Sequence, residues 1–295
     1  MFRKIQTIIS APGVLIRYRS FLIRNIYYNI SKYFHAFTYY KRKINKDFKI
    51  RKFNQGYIKL TPKDLSKFGI NTDKIINEII KKSLKSKVKI NNLKPINIIL
   101  NSSDFKTNSL VFKFITNEKI IKIISNYFGF IPLLTHISYW FSPNKHDIPG
   151  SSQEFHLDHE DIKQVKGFFL VNDVTDKNGP TIFINSQNSK NIIDNLNYKT
   201  NKFSKRINTK IIKKFTKNFI TCTGKKGTLY LIDTSICFHL GSKKSQNNRK
   251  ILAFQFISPF STSLQWNWIN SKIFHRPYWI NKKLSKMQKL ILGIN

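Results

Sequence analysis

Two textures of hydrophobic spacing divide the chain. From 61 to 129 the apolar residues recur at three and four positions, the period of a helix that buries one face. Ile75, Ile76, Ile79 and Ile80 line one such helix, which Thr72 or Asn71 caps and which runs to Lys87. Ile120, Ile121, Ile124 and Phe128 line another, capped by Thr116 and running to Tyr127. From about 132 the texture turns to short runs of β type, at 135–141, 155–158, 166–172, 181–185, 219–223, 228–232 and 251–257. Ser142-Pro143-Asn144, Pro149-Gly150, Asn178-Gly179-Pro180, Gly224 and Gly227 punctuate them. Many short strands so bounded predict a sandwich or jelly roll. Asn178-Gly179 suits a hairpin turn. The polar stretch 187–217 has a weak helical pattern and is expected outside the sheets.

The first 52 residues differ again. They hold thirteen Lys and Arg against one acid, Asp47, interleaved with Tyr27, Tyr28, Tyr33, Phe34, Tyr39 and Tyr40. Leu15, Leu22, Ile23, Ile26 and Ile30 recur at helical spacing. Such a helix suits either an anionic membrane surface or packing on the domain with its cations in water. The tail 271–295 is basic and amphipathic.

Composition changes this picture in two places. The formal net charge is +37 over 295 residues. That suits an anionic partner, but a general drift toward Lys, Asn and Ile explains it equally, and no nucleic-acid-binding motif accompanies it. Acids are scarce, yet eight of the 15 fall between 147 and 194, which marks a stretch that needs them. Cys222 and Cys237 form no metal or redox spacing, so a reducing cytoplasm is the expected setting. No apolar run is long enough to span a membrane. Residues 7–16 outline a signal core, but Pro12-Gly13 breaks it and no small-residue cleavage site follows.

The chemistry sits in that acidic stretch. In Phe155-His156-Leu157-Asp158, strand geometry sends positions i and i+2 to one face, so the imidazole and the carboxylate reach one ion while Leu157 turns away. His239, after an apolar run, supplies a second imidazole from another strand. Two histidines and one carboxylate on one face of a metal leave the opposite face open, an arrangement suited to Fe(II) that must bind a co-substrate and O2 together. Arg249, ten residues after His239, offers a planar cationic fork for a carboxylate if a hairpin joins the two. His159 alternates to the other face, and His146 in its polar loop suits a cavity mouth. Asp233 reads as a turn residue and Cys237 as a small core hydrophobe.

Residues 134–258 resemble the phytanoyl-CoA dioxygenase family of iron(II)/2-oxoglutarate oxygenases, in order as well as in kind. His156-x-Asp158 is followed by Gly167-Phe168-Phe169-Leu170-Val171-Asn172-Asp173 and Asn178-Gly179-Pro180-Thr181. Then come Gly227-Thr228-Leu229-Tyr230-Leu231-Ile232-Asp233, His239 and Arg249-Lys250-Ile251-Leu252. The resemblance implies a mainly β fold with flanking helices, a double-stranded β-helix or jelly roll of cupin type. It implies Fe(II) held by His156, Asp158 and His239, with 2-oxoglutarate anchored by Arg249. The reaction it implies couples decarboxylation of 2-oxoglutarate to succinate and CO2 with oxidation of a C–H bond by O2. Asp158 favours hydroxylation, because halogenating members lack that carboxylate. Two departures stand out. Asn185-Ser186-Gln187-Asn188 replaces the family's Pro-Gly-Ser-His loop, and Ile251 stands where a small hydroxyl residue is common. A second hydrogen bond to the co-substrate is therefore assigned to Thr181 or Tyr139.

The expected organisation is a basic extension over 1–52, an oxygenase domain over 53–270 and a tail over 271–295. The expected partner is a small organic molecule, anionic or lipid-linked, with peripheral membrane contact through 1–52 and no specific nucleic acid. The alternative is a non-catalytic jelly roll that binds anionic lipid or nucleic acid through its basic surface.

Overall fold

A computed structural model describes residues 51–143, 153–158, 160, 161, 163–198, 206–241, 245–259 and 283–293, together with 22, 23, 26, 29, 30, 32, 40–44 and 279. The expectations for most of 1–52, for His146 and His159, and for most of 271–285 fall outside those residues.

The β half is built from β1 (Tyr57–Leu60), β2 (Asn97–Leu100), β3 (Leu133–Ser142), β4 (Gln164–Leu170) and β5 (Thr181–Phe183). It continues with β6 (Ile220–Thr221), β7 (Leu229–Asp233), β8 (His239–Gly241) and β9 (Arg249–Ile257). Six strands form a large antiparallel sheet in the order β1-β7-β4-β9-β3-β2, and three form a small one in the order β6-β5-β8. The segment at Phe155-His156 completes the small sheet by a bridge from His156 to His239. From β3 onward the chain visits the sheets as large, small, large, small, small, large, small, large, which is the winding of a double-stranded β-helix. The fold is that jelly roll with helices on its faces.

The central strands β3, β4, β7 and β9 alternate between two largely buried sides. On the large sheet Leu134, Ile137, Tyr139, Phe169, Leu231, Leu252 and Phe254 face a helical layer. That layer comprises α1 (Pro62–Ser66), α2 (Thr72–Ser83), α3 (Leu110–Ile115), α4 (Glu118–Phe128) and, near the chain's end, Lys286–Ile291. Phe168, Leu170, Tyr230, Ile232, Ile251 and Ala253 face inward and meet Phe183 and Cys222 of the small-sheet side. The outside of the small sheet, with Phe155, Leu157, Ile184, Phe238 and Leu240, is covered by Ile192, Tyr198, Ile207 and Ile212. The polar stretch 187–217 thus supplies the cover through its few apolar residues. It holds the helices Ser186–Asn195, which we call α5, and Thr209–Ile212, α6.

Asn71 caps α2 by accepting from the Lys74 amide. The helix stops at Ser83 rather than 87, because Ile79 is its last residue to reach the core, while Ile80, expected on the same face, and Leu84 are exposed. Asn117, one residue later than expected, caps α4, and Gly129 closes it in a left-handed conformation at φ 83°. Asn178 and Gly179 do not make a hairpin. They end a 3-10 turn in a crossing between sheets, since β4 lies in the large sheet and β5 in the small one. For the same reason no hairpin joins His239 to Arg249: β8 and β9 belong to different sheets.

Candidate metal centre

His156 and Asp158 point inward while Phe155 and Leu157 pack outward under α5 and α6, as the two-residue period of a strand requires. His239 points inward from β8 between the outward Phe238 and Leu240. The His156 amide donates to the His239 carbonyl at 3.1 Å and the His239 amide donates back at 3.1 Å. The two histidines are therefore a directly opposed, hydrogen-bonded pair, and their ring centroids lie 4.3 Å apart. The Asp158 amide donates to the Thr234 carbonyl at 2.9 Å. Thr234 belongs to a turn after β7, where Asp233 Oδ1 accepts from the Ser235 amide at 3.0 Å. Asp233 Oδ2 accepts from the Tyr127 hydroxyl at 2.6 Å. Asp233 therefore shapes the turn between the ligand-bearing segments and is no part of the cluster.

One ligand atom from each of His156, Asp158 and His239 lies within 4.8 Å of the others, and all three residues are buried. His156 Nδ1 meets the Glu154 carbonyl at 2.8 Å, and His239 Nδ1 meets the Cys237 carbonyl at 3.1 Å. A carbonyl only accepts, so each Nδ1 carries the proton and each Nε2 presents a lone pair to the interior. Burial pushes the His156 imidazolium down to about 3, helped by His239. Burial likewise lowers His239, with Lys166 adding to it. Both rings are neutral at physiological pH, the state a metal needs. Burial pushes the Asp158 carboxyl up, but the Lys166 ammonium beside it outweighs burial and holds the group well below the ordinary carboxylate range. The chemistry of this donor set, two bare imidazole nitrogens and one carboxylate, matches a divalent transition metal with an open face.

Arg249 stands at the start of β9 and is buried. Its guanidinium donates to the Gly179 carbonyl, to Thr181 Oγ1 at 3.5 Å and to Ser142 Oγ at 3.3 Å. Its Nε is buried with no hydrogen-bond partner among the described residues. Burial lowers the guanidinium to about 10, so it stays charged at neutral pH. Thr181 is paired across β5 and β8 with Gly241, two residues from His239, so Arg249 and Thr181 stand beside the triad along the small sheet. Tyr139 does not. It faces the helices, where its hydroxyl bonds Ser83, and the inward residues of β3 are its neighbours Ser138 and Trp140. The assignment of Tyr139 to the co-substrate is corrected accordingly.

Three residues of the interior escaped the sequence reading: Ser142, Lys166 and Arg206. Lys166 carried a signal, because it shares parity with Phe168 and Leu170 in a strand that is otherwise apolar from Val165 onward.

No protein-family profile matches the chain, and no curated protein matches it. Among solved structures it is similar to the epimerase SnoN from nogalamycin biosynthesis in complex with Fe3+, alpha ketoglutarate and nogalamycin RO. There the identity is 12%, with 76% of this chain and 82% of that one covered at a TM-score of 0.49. It is similar to EctD from S. alaskensis with 2-oxoglutarate and 5-hydroxyectoine at 11% identity, covering 74% and 82% at a TM-score of 0.47. It is similar also to HygX from Streptomyces hygroscopicus with nickel, 2-oxoglutarate and hygromycin B, at 10% identity, covering 70% and 84% at a TM-score of 0.43. These are distant likenesses of overall fold. Among the described residues no helix is long and apolar enough to cross a membrane.

Proposed function

We propose that the protein is an Fe(II)- and 2-oxoglutarate-dependent oxygenase that hydroxylates a small organic substrate, using 53–270 as its catalytic unit. The observation that carries this is the buried His156-Asp158-His239 cluster with both Nε2 atoms bare and a carboxylate beside them. A purely structural cluster has no reason to turn two imidazole lone pairs toward one carboxylate, since acceptors that face an acceptor repel. The orphaned Nε of buried Arg249 adds a receptor for a carboxylate next to the cluster.

His156, Asp158 and His239 would hold Fe(II). With O2 the iron supplies the two-electron oxidation in which 2-oxoglutarate, O2 and R–H become succinate, CO2 and R–OH. The chain's own residues do the rest. The carbonyls of Glu154 and Cys237 hold the two rings in their tautomer and orientation. Arg249 pairs with the far carboxylate of 2-oxoglutarate, and Thr181 Oγ1, within 3.5 Å of Arg249, supplies the second hydrogen bond. Trp140, Phe168 and Ile251 wall the interior and keep water out.

The test is anaerobic addition of Fe(II) and 2-oxoglutarate to the metal-free protein. The expected result is the weak visible charge-transfer band of the chelate, lost in His156→Ala. A protein that binds neither iron nor 2-oxoglutarate refutes the reading.

A further inference from the structure

The interior holds a cation for which the reaction above has no use. Lys166 projects inward from β4, and its Nζ lies 2.6 Å from Asp158 Oδ2 with the side chain only 16% exposed. The same carboxylate oxygen lies 3.5 Å from His239 Nε2. An ammonium thus neutralises the one carboxylate of the cluster. A buried carboxylate without that partner is costly, and so is a buried ammonium beside a metal ion of like charge. Lys166 and a divalent ion therefore compete for Asp158.

A second cation stands close by. Arg206 precedes Ile207, which bridges to Phe155, so it flanks the segment that carries His156 and Asp158. Its Nη1 is buried with no hydrogen-bond partner among the described residues. Its charge acts on His156, His239 and Lys166 alike. The acids facing this pair are Asp158 and the half-buried Glu154 and Glu160, of which Glu160 has one buried carboxylate oxygen and acts on Lys166. Arg249 enters the interior from a different level of the large sheet. It pairs with Ser142, whereas Lys166 pairs with Gln255, about 20 Å further along β9 at the usual strand rise. The far carboxylate of 2-oxoglutarate, held at Arg249, is therefore not a partner for Lys166 or Arg206.

We propose that Lys166 is the counter-ion of Asp158 in the metal-free protein, that a bound divalent ion displaces it, and that the freed ammonium, with Arg206, receives an oxyanion group of the substrate. This rests on the metal-site reading above and narrows its substrate to molecules bearing a carboxylate, phosphate or sulfate near the carbon that reacts. It also sets an order, since the anion site opens only after the metal has bound.

The experiment uses full-length protein stripped of metal, with Mn(II) as the metal and sulfate as the probe, at ionic strength balanced with chloride. Calorimetry is expected to show Mn(II) binding about tenfold or more tighter in Lys166→Met than in wild type, because the competitor is gone. Sulfate is expected to bind the wild-type protein at one site only when Mn(II) and 2-oxoglutarate are present. That binding is expected to disappear in Lys166→Met and to weaken about tenfold in Arg206→Met. Should Lys166→Met not fold, Lys166→Gln carries the same expectation. Weaker or unchanged Mn(II) binding in the Lys166 variants overturns the displacement and makes Lys166 a support for Asp158. Sulfate binding that needs no Mn(II), or that survives in the Lys166 variants, overturns the anion site and assigns the binding to the basic surface. No Mn(II) binding by wild type refutes the metal reading itself, and this inference with it.

Discussion

Gly167 lies in the middle of β4 with its missing side chain aimed at Phe254. A Cβ there would stand 2.2 Å from Phe254 Cζ, 2.3 Å from Cε2 and 2.6 Å from Cε1. Carbon atoms pack at about 3.5 Å or more, so the ring must retreat by about 1.3 Å. It has nowhere to go. Phe254 is fully buried, with Phe256 at 6.0 Å and Phe114 at 6.2 Å between ring centroids, and Phe114 is itself held by Phe169 at 4.9 Å. Overpacking of this kind costs about 2–3 kcal/mol. Gly→Ala also removes freedom from the unfolded chain, which offsets about 0.7 kcal/mol. The expected net loss for Gly167→Ala is about 1.5–2 kcal/mol. For a chain of this length the unfolding entropy is about 0.6 kcal/mol per kelvin, so Tm should fall by about 3 °C. Urea denaturation at constant m-value measures the loss directly. The double variant with Phe254→Leu should recover at least about 1 kcal/mol relative to the sum of the singles, since the new methyl fills space the ring has left. Wild-type stability for Gly167→Ala, or additive singles, would refute the argument that Gly167 is required by the approach of Phe254.

Three further outcomes are expected. Asp158→Ala should abolish turnover, because it removes the only carboxylate of the cluster, and full activity in that variant would dismiss the triad. Arg249→Ala should raise the 2-oxoglutarate requirement by about a hundredfold or more while Fe(II) still binds, as loss of a buried charge-assisted pair implies; an unchanged KM for 2-oxoglutarate would remove Arg249 from the site. Asp64, in the capping box of α1, is held at about 2 mainly by the Thr61 backbone N–H, with Arg51 helping. Its folded value lies below the ordinary 3.8, so its share of stability is present above about pH 4 and is lost as pH falls through 2. An NMR titration midpoint near 3.8 would show that the cap does not hold the carboxylate.

The parts of this protein legible in its sequence are those in which one period has one meaning. His156 and Asp158 two apart, with large apolar residues at 155 and 157, carry the strand parity on their face, and the structure brings both side chains to His239. Helices with one polar side, such as α2, declare themselves likewise. Tyr139 was misread because the large sheet is covered on both sides, so Tyr139 and its neighbour Trp140 look equally interior, and alternation alone cannot tell a barrel lumen from a helical layer. The edge strands β1 and β2 span four residues each, too few for a period to emerge. Lys166 was lost among 52 cations, since a solvated lysine and an inward one are written with the same letter.

The reciprocal amide bonds between His156 and His239 act as a gauge. They set the separation of the two imidazoles by the main-chain spacing of an antiparallel pair, and main-chain groups are supplied by every residue type except proline. The spacing of the two imidazoles is thus stored where side-chain substitution does not reach. Substitutions of the side chains around this pair therefore act on what enters the cavity before they act on the separation of the two imidazoles.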